Sequence, residues 1–543
     1  MNPDPSVTAV ETAATIDDPR RRRSVLLAVC LALMAVVASV SGLNVAQPQL
    51  ALTFDASQGE VLWMINTYTI TLAALLLPLG AAGDRWGRRP ALLVGLLVFG
   101  IANAAAGLAP SAEVMVAARL LSGVGAALIM PVTLSVITST FPDAERSKAI
   151  GVWTAVAGGG GILGMYLSAV LVDLASWRWL FVLPIVLAGG AALIAVHSVP
   201  DSREHARHAF DAVGALTSVI AAVGFTVALH EGPERGWTAP ATLISLVLAV
   251  AGTVVFVGWE RRVPAPLLDV RHFRKRGLSS GSTLLLVMFG VQAGVSIVLY
   301  PFFQVVLGWS GLLATLALLP MAVLMMLASG LAPYAAARAG ARATMATGIL
   351  LAGAGLASMA ALVSVDGGYP TVLPGMIAMG LGMGLAMTPS TEAITSSLPR
   401  EQQGVASALN DLTRELGAAL GVALLGALLA AGYRSAIDPR LDGVPDPVAE
   451  TARQGVANAV AAGVGDEPYA QQLIRAAQES FVAGWQQAMW VGVVVLAVLF
   501  VHIVLRGPRR FRVAAGVPLF PRSPRASARR RRRSRRGSRA PVR

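Results

Sequence analysis

One segment, GVASALNDLTRELGAALGVA at 404–423, sets Asn410, Asp411, Arg414 and Glu415 into an otherwise apolar run rich in glycine and alanine. Asp411 and Glu415 are four residues apart and share a helical face. A carboxyl desolvated by burial loads and releases a proton near physiological pH, and it can also serve as the counter-charge of a cation. Arg414, three residues from Asp411, leaves open a permanent ion pair instead. A second isolated charge, Arg119, lies within the apolar run 113–138. An arginine at such depth costs roughly 2.5–3.5 kcal/mol on insertion scales, so it must face the interior and find a partner. Gly123 and Gly125 would let a neighbouring helix approach it. Glu392, in MTPSTEAITSS, lies nearer the end of its run, where solvation is expected. These five residues are the candidates for handling protons or a polar solute, with ion pairing or hydrogen bonding to carbonyls as the structural alternative.

A different chemistry is concentrated near Gly80, where PLGAAGDRWGRRPALL ends one apolar run and opens the next at Pro90. Gly80 and Gly83 permit close helix approach, Asp84 can accept from exposed amides or pair with an arginine, and Arg85, Trp86, Gly87, Arg88 and Arg89 close the loop. An arginine-rich turn between two spans would look similar on composition alone.

The elements that hold these groups are membrane helices. Hydrophobic residues make up 55% of the 543 positions and charged residues 13%, against about 25% charge in soluble domains. Windows of about 20 apolar residues predict spans at 24–46, 61–81, 90–109, 113–138, 148–172 and 179–199, two more at 211–229 and 239–259, and six at 278–301, 311–335, 343–364, 370–394, 403–432 and 486–505. The fold class expected is an all-α integral membrane protein of fourteen spans, two six-helix halves (24–199 and 277–505) joined by a linking region at 200–276. Arg20–Arg23 followed by an apolar run imitates a signal peptide, but that run reaches about Val45, too long for one, and is read as an uncleaved first span after a segment 1–23.

Lys and Arg fall on alternate connections: Arg20–Arg23, Arg85–Arg89, Arg146 with Lys148, Arg203 with Arg207, Arg261–Arg276, Arg338 with Arg342, and Arg400. The connections 47–60 and 302–310 carry none. That asymmetry places the basic side, and both termini, in the cytoplasm of a cell-membrane protein. The external segment 433–485 contains AETARQGVANAVAA, whose spacing predicts a helical cap.

The net charge of +13 belongs to the tail, since residues 506–543 hold fifteen arginines and no acid. The run Arg529–Arg533 among Ser, Pro and Gly builds no core and is expected to be disordered. It is read as lying on anionic membrane lipid, at about 1 kcal/mol per arginine near the surface, in preference to binding nucleic acid. The single cysteine, Cys30, allows no intrachain disulfide and no cysteine-built metal cluster. Neither a phosphate-binding glycine loop, nor a nucleophile elbow, nor clustered His or Cys is present, so no enzyme chemistry, cofactor or metal is expected.

Five ordered blocks, WMINTYTITLAALLLPLGAAGDRWGRR (63–89), RLLSGVGAALIMP (119–131), SWRWLFVLP (176–184), PLLDVRHF (266–273) and GVASALNDLTRELGAALGVA (404–423), resemble the fourteen-span drug:proton antiporter branch of the major facilitator superfamily. The resemblance implies a secondary transporter that exports amphipathic small molecules, cations included, in exchange for protons, by rocking two halves about a midplane site; the oligomeric state stays open, with a monomer the first expectation. It implies proton transfer at Arg119 and a conformational role for Gly80, Asp84, Arg85, Gly87, Arg88 and Arg89. A facilitator of another solute, such as a lipid, metabolite or peptide, without proton exchange shares the same fold, and a membrane scaffold is a further alternative. Two departures bear on the coupling. AVAGGGGILGMYLSAVLVD (155–173) keeps Gly158, Gly161 and Gly164 for close packing but lacks the family's Gly-Pro, and Ser39 stands where many members carry a first-span acid. Asn44, Gln47 and Gln292 supply only hydrogen bonds, which leaves Asp411 and Glu415 as the expected proton site.

Overall fold

The computed structural model describes residues 15–200, 210–463 and 470–508, and among these the chain is helical with no strand. Fourteen long helices follow one another: α1 Pro19–Val45, α2 Gln58–Trp86, α3 Arg88–Gly107, α4 Ala112–Thr140, α5 Asp143–Leu174, α6 Val182–Ser198, α7 Ala212–Arg235, α8 Pro240–Glu260, α9 Arg276–Pro301, α10 Leu319–Ala339, α11 Ala341–Leu362, α12 Gly368–Thr395, α13 Gln403–Ile437 and α14 Ala470–Arg506. Thirteen helical segments among the described residues are long and apolar enough to cross a membrane. The predicted fifth span, 148–172, lies in α5, a 32-residue helix outside that thirteen. The protein is therefore a multi-pass membrane protein. Residues 1–14 of the N-terminal segment, 201–209 of the linking region, 464–469, and the arginine-rich tail from 509 onward lie outside the described residues.

Local sequence sets the helix boundaries. Ser57 and Glu60 form a capping box at the start of α2, and Asp18, Ser111 and Asp211 accept from the first turns of α1, α4 and α7. Gly87 (φ 110°) joins α2 to α3, and Gly340 (φ 92°) joins α10 to α11. Both occupy backbone space that a β-carbon disfavours. The second junction thus repeats the first in backbone geometry although it has lost the acid.

That repeat extends through the packing. α1 packs on α5 and α6, α2 on α4, and α3 on α4 and α6; eight helices later, α9 packs on α13 and α14, α10 on α12, and α11 on α12 and α14. The contacts between halves are exchanged by the same relation, α2 with α13 and α10 with α5. This is the pattern of two six-helix halves related by a pseudo-two-fold axis. The pair α7–α8 packs together, with α7 also against α2 and α13, while α8 turns Val247, Val250 and Val254 outward, as a lipid-facing helix does.

The ends of α13 and α14 are longer than apolar windows predict. At 1.5 Å per residue the 37 residues of α14 reach about 55 Å, beyond a hydrocarbon core of ~30 Å. Its first turns carry Arg475, which pairs with Asp366 and Glu479. The Asp366 carboxyl is held below its ordinary range, first by the hydrogen bond from Arg475. The short helix Val456–Ala462 packs on α14, and a second, Asp446–Arg453, packs on it and on α13. The expected single helical run is split because Gly455 takes φ 157°, and Tyr433 ties the cap to α13 by donating to the Ala452 carbonyl at 2.8 Å.

Candidate functional site

Arg119 is fully buried on α4. Its guanidinium donates to the Ser39 hydroxyl at 2.9 Å and the Ser39 carbonyl at 3.3 Å, and lies 4.2 Å from the centroid of the Tyr68 ring. Ser39 in turn donates to Asn103, which donates to the Phe99 carbonyl, while the Tyr68 hydroxyl donates to the Val36 carbonyl. Serine in place of an acid therefore does not leave Arg119 unattended; one hydroxyl and one carbonyl of α1 receive it. No carboxylate forms an ion pair with Arg119 among the described residues, and its Nε has no hydrogen-bond partner. The arginine is legible in the sequence, whereas Tyr68, Asn103 and the hydroxyl's role are not.

On α13, Asp411 is fully buried. Its Oδ1 accepts from the Asn410 side chain at 3.1 Å and lies 3.6 Å from Arg414, longer than a hydrogen bond. Its Oδ2 and the side-chain Oδ1 of Asn410 have no partner. Arg414 is also held by aromatic faces, with Phe289 of α9 at 4.4 Å and Trp153 of α5 at 5.4 Å. Because Trp153 belongs to the other half and donates to Thr133 of α4, Arg414 is shared between halves instead of committed to Asp411 alone. Glu415 is half-buried. Gln292 of α9 adds a buried carbonyl oxygen without a partner.

A clasp joins the halves at the end that carries the arginine-rich connections. Asp84, near the end of α2, is buried; its Oδ1 accepts from Arg88 at 3.0 Å, and its Oδ2 accepts the backbone N–H of Gly404 at 2.7 Å and of Val405 at 3.2 Å. These amides belong to the first turn of α13, so Asp84 caps that helix from the opposite half and meets the positive end of its dipole. Arg88 also donates to the Arg400 carbonyl at 3.3 Å. The crossing is close because Gly80 faces Gly404: a β-carbon on Gly404 would meet the Gly80 carbonyl and the Asp84 carboxylate. Gly87 supplies the turn. Arg89 donates to the Val196 carbonyl of α6, and Arg85 is half-buried.

The related crossing, α5 with α10, has other chemistry. Gly158 faces the thioethers of Met325 and Met387, Gly159 faces Met326, and Gly151 faces the Ser329 carbonyl. Gly164 instead abuts Ala38 of α1, within its own half, and Gly161 is half-buried. Glu392, expected in water, is half-buried and accepts from Ser147 of α5 at 2.5 Å. That is a further link between halves, made because the first turn of α5 lies over the end of α12.

Comparison with known proteins agrees with this architecture. The chain is 32% identical over 481 residues to the multidrug efflux pump LfrA of Mycolicibacterium smegmatis, covering 88% of this chain and 95% of that one. It is 30% identical over 485 residues to the multidrug resistance protein Stp of Mycobacterium tuberculosis, covering 88% and 90%. Among solved structures, the proton:xylose symporter XylE superposes with a TM-score of 0.57 at 14% identity over 90% of this chain and 96% of that one, which bears on fold alone. The family model of the Major Facilitator Superfamily matches residues 29–422, and with the two halves, their exchanged contacts and the shared interior charges in place, the chain belongs to that superfamily of membrane transporters.

Proposed function

We propose that this protein is a proton-coupled exporter of amphipathic small molecules, drugs or antibiotics, and that it works by alternating access rather than by chemical conversion of its substrate. The observation that carries the reading is the burial of Arg119 with Tyr68 in one half and of Asp411 with Arg414 in the other, Arg414 reaching Trp153 across the interface, together with the Asp84 clasp on the first turn of α13. Relatives named for multidrug resistance and efflux support the substrate class.

In this reading the basic connections face the cytoplasm of the cell membrane, with both termini on that side, and the tail lies on anionic lipid. The Asp84 clasp then closes the cytoplasmic entrance. Asp411 and Glu415 exchange protons with the outside or act as counter-charge for a cationic substrate, and Arg414, already cushioned between Phe289 and Trp153, adjusts to their charge. Opening toward the cytoplasm requires Asp84 to release the first turn of α13, and binding that favours one arrangement shifts the balance. A single chain contains both halves and serves as the transporting unit.

One observation favours a second reading. Ser39, not an acid, receives Arg119, so α1 contributes no carboxylate and another solute could move without proton antiport. Inside-out vesicles distinguish the two. With the lumen acidified, uptake of a cationic dye against its gradient is expected; equal uptake with and without the imposed gradient would overturn the coupling.

A further inference from the structure

A second pair of acids lies outside the transport path, where α7 begins and α8 ends. Asp211 caps α7: its Oδ1 accepts the Gly214 N–H at 2.8 Å and the Trp259 indole N–H at 2.9 Å. Glu260, only 2% exposed, closes α8, and its Oε2 accepts the Leu268 N–H at 3.1 Å. The remaining oxygens, Asp211 Oδ2 and Glu260 Oε1, are both buried and both without a hydrogen-bond partner. They converge on one hollow, since each lies within 2.6 Å of the point where a β-carbon on Gly214 would stand, which puts them within about 5 Å of each other. A glycine is what keeps that hollow open.

Two ionised carboxylates so placed repel, and each keeps an acceptor that nothing satisfies. The other charged groups nearby do not resolve this. Asp269 adds a third acid to the field on Glu260 and is itself approached by His272 at 3.5 Å. Arg261 and Arg262 are exposed, and Arg271 donates to the Arg261 carbonyl. On α2 and α13, against which α7 packs, no side chain makes an ion pair or hydrogen bond with either acid among the described residues.

We infer that Asp211 and Glu260 form a proton-binding site, in which one carboxyl O–H donates to the free oxygen of its neighbour across the face of Gly214. The site also governs a connection. Through Leu268, Glu260 holds the segment 261–275, which leads into α9, and Lys275 at its end donates to the Ser397 carbonyl beyond α12. The shared proton therefore fastens the linking pair to the entrance of the second half. Deprotonation as pH rises drives the two acids apart and loosens the segment, and acidification restores it.

The test uses the purified full-length protein in lipid. Infrared spectra recorded as pH is stepped should contain a protonated-carboxyl band near neutral pH that is lost in Asp211→Asn and in Glu260→Gln alike; Asn keeps the helix cap. Loss in one variant only would show an isolated buried acid and overturn the sharing. Amide hydrogen exchange at Leu268, corrected for intrinsic rate, supplies the second readout. Protection should fall with rising pH by up to about tenfold per unit, the linkage limit for one proton, and should be flat in both variants. Gly214→Ala, which wedges a methyl into the hollow, should lose that protection at every pH. If magnesium or calcium chloride restores protection at high pH and no carboxyl band is present, the site holds a metal ion and the proton reading fails.

Discussion

Replacing Asp84 by asparagine tests the clasp directly. The carboxylate accepts two amides from the first turn of α13, at 2.7 and 3.2 Å, and pairs with Arg88. Hydrogen bonds to a charged group contribute about 1.5–3 kcal/mol, and a helix N-terminus adds ~0.3–2 kcal/mol for a negative charge. Asparagine keeps one acceptor for Gly404 but loses the charge and turns its amide toward Arg88, while in the opened state water solvates either side chain. A net loss of about 2 kcal/mol from the closed arrangement follows, roughly thirtyfold in the ratio of closed to open. Spin labels at Trp86→Cys and Arg338→Cys, exposed positions at the ends of α2 and α10, report on that ratio in a Cys30→Ser background. The distance distribution should shift from mostly short to substantially long in Asp84→Asn, with slowed transport and normal membrane insertion. An unchanged distribution together with full transport would refute the view that this carboxylate holds the halves together.

Arg119→Ala should abolish uphill export, and Arg119→Lys should restore it only in part, because a point charge cannot donate to both oxygens of Ser39 while covering the Tyr68 face; equal rates for Lys and Arg in vesicle efflux would contradict this. Asp411→Asn and Glu415→Gln should each lose gradient-driven export yet retain downhill exchange, and cationic substrates should suffer more than neutral ones. Persistent uphill efflux in the double variant would move the proton site elsewhere. Removing residues 509–543 should leave transport within about twofold of the full chain, since that composition builds no packed core; a truncated protein that reaches the membrane but does not transport would show the tail to be part of the mechanism.

Apolar runs made the helices legible, because twenty consecutive apolar residues have few other uses. What hydropathy cannot register is helix outside the lipid: α14 begins at Ala470 with Gln471, Gln472 and Arg475, exposed residues that read as loop, while Ala470, Leu473 and Ala477 beside them are buried. Charges in apolar surroundings announced Arg119 and Asp411 for the same reason of cost. Their partners were hidden. Ser39 reads as a missing acid until its hydroxyl is seen eighty residues away along the chain from the guanidinium it meets. The partner of Asp84 across the halves has no letter at all, being two backbone amides of α13. Glu392 reads as solvent-facing because Ser147, which covers it, comes from the other half.

The two crossings between halves occupy equivalent places but differ in stiffness. At α2–α13, backbone meets backbone and a carboxylate grips two amides, a contact that is either made or broken. Where α5 meets α10 and α12, Gly151 faces the Ser329 carbonyl, but Gly158 and Gly159 face mainly the unbranched thioethers of Met325, Met326 and Met387, which change rotamer at little cost. A pseudo-symmetric frame is thus mounted on one rigid catch and one compliant bearing. Methionine rotamers can absorb small shifts at Gly158 and Gly159 that the backbone contact between Gly80 and Gly404 cannot.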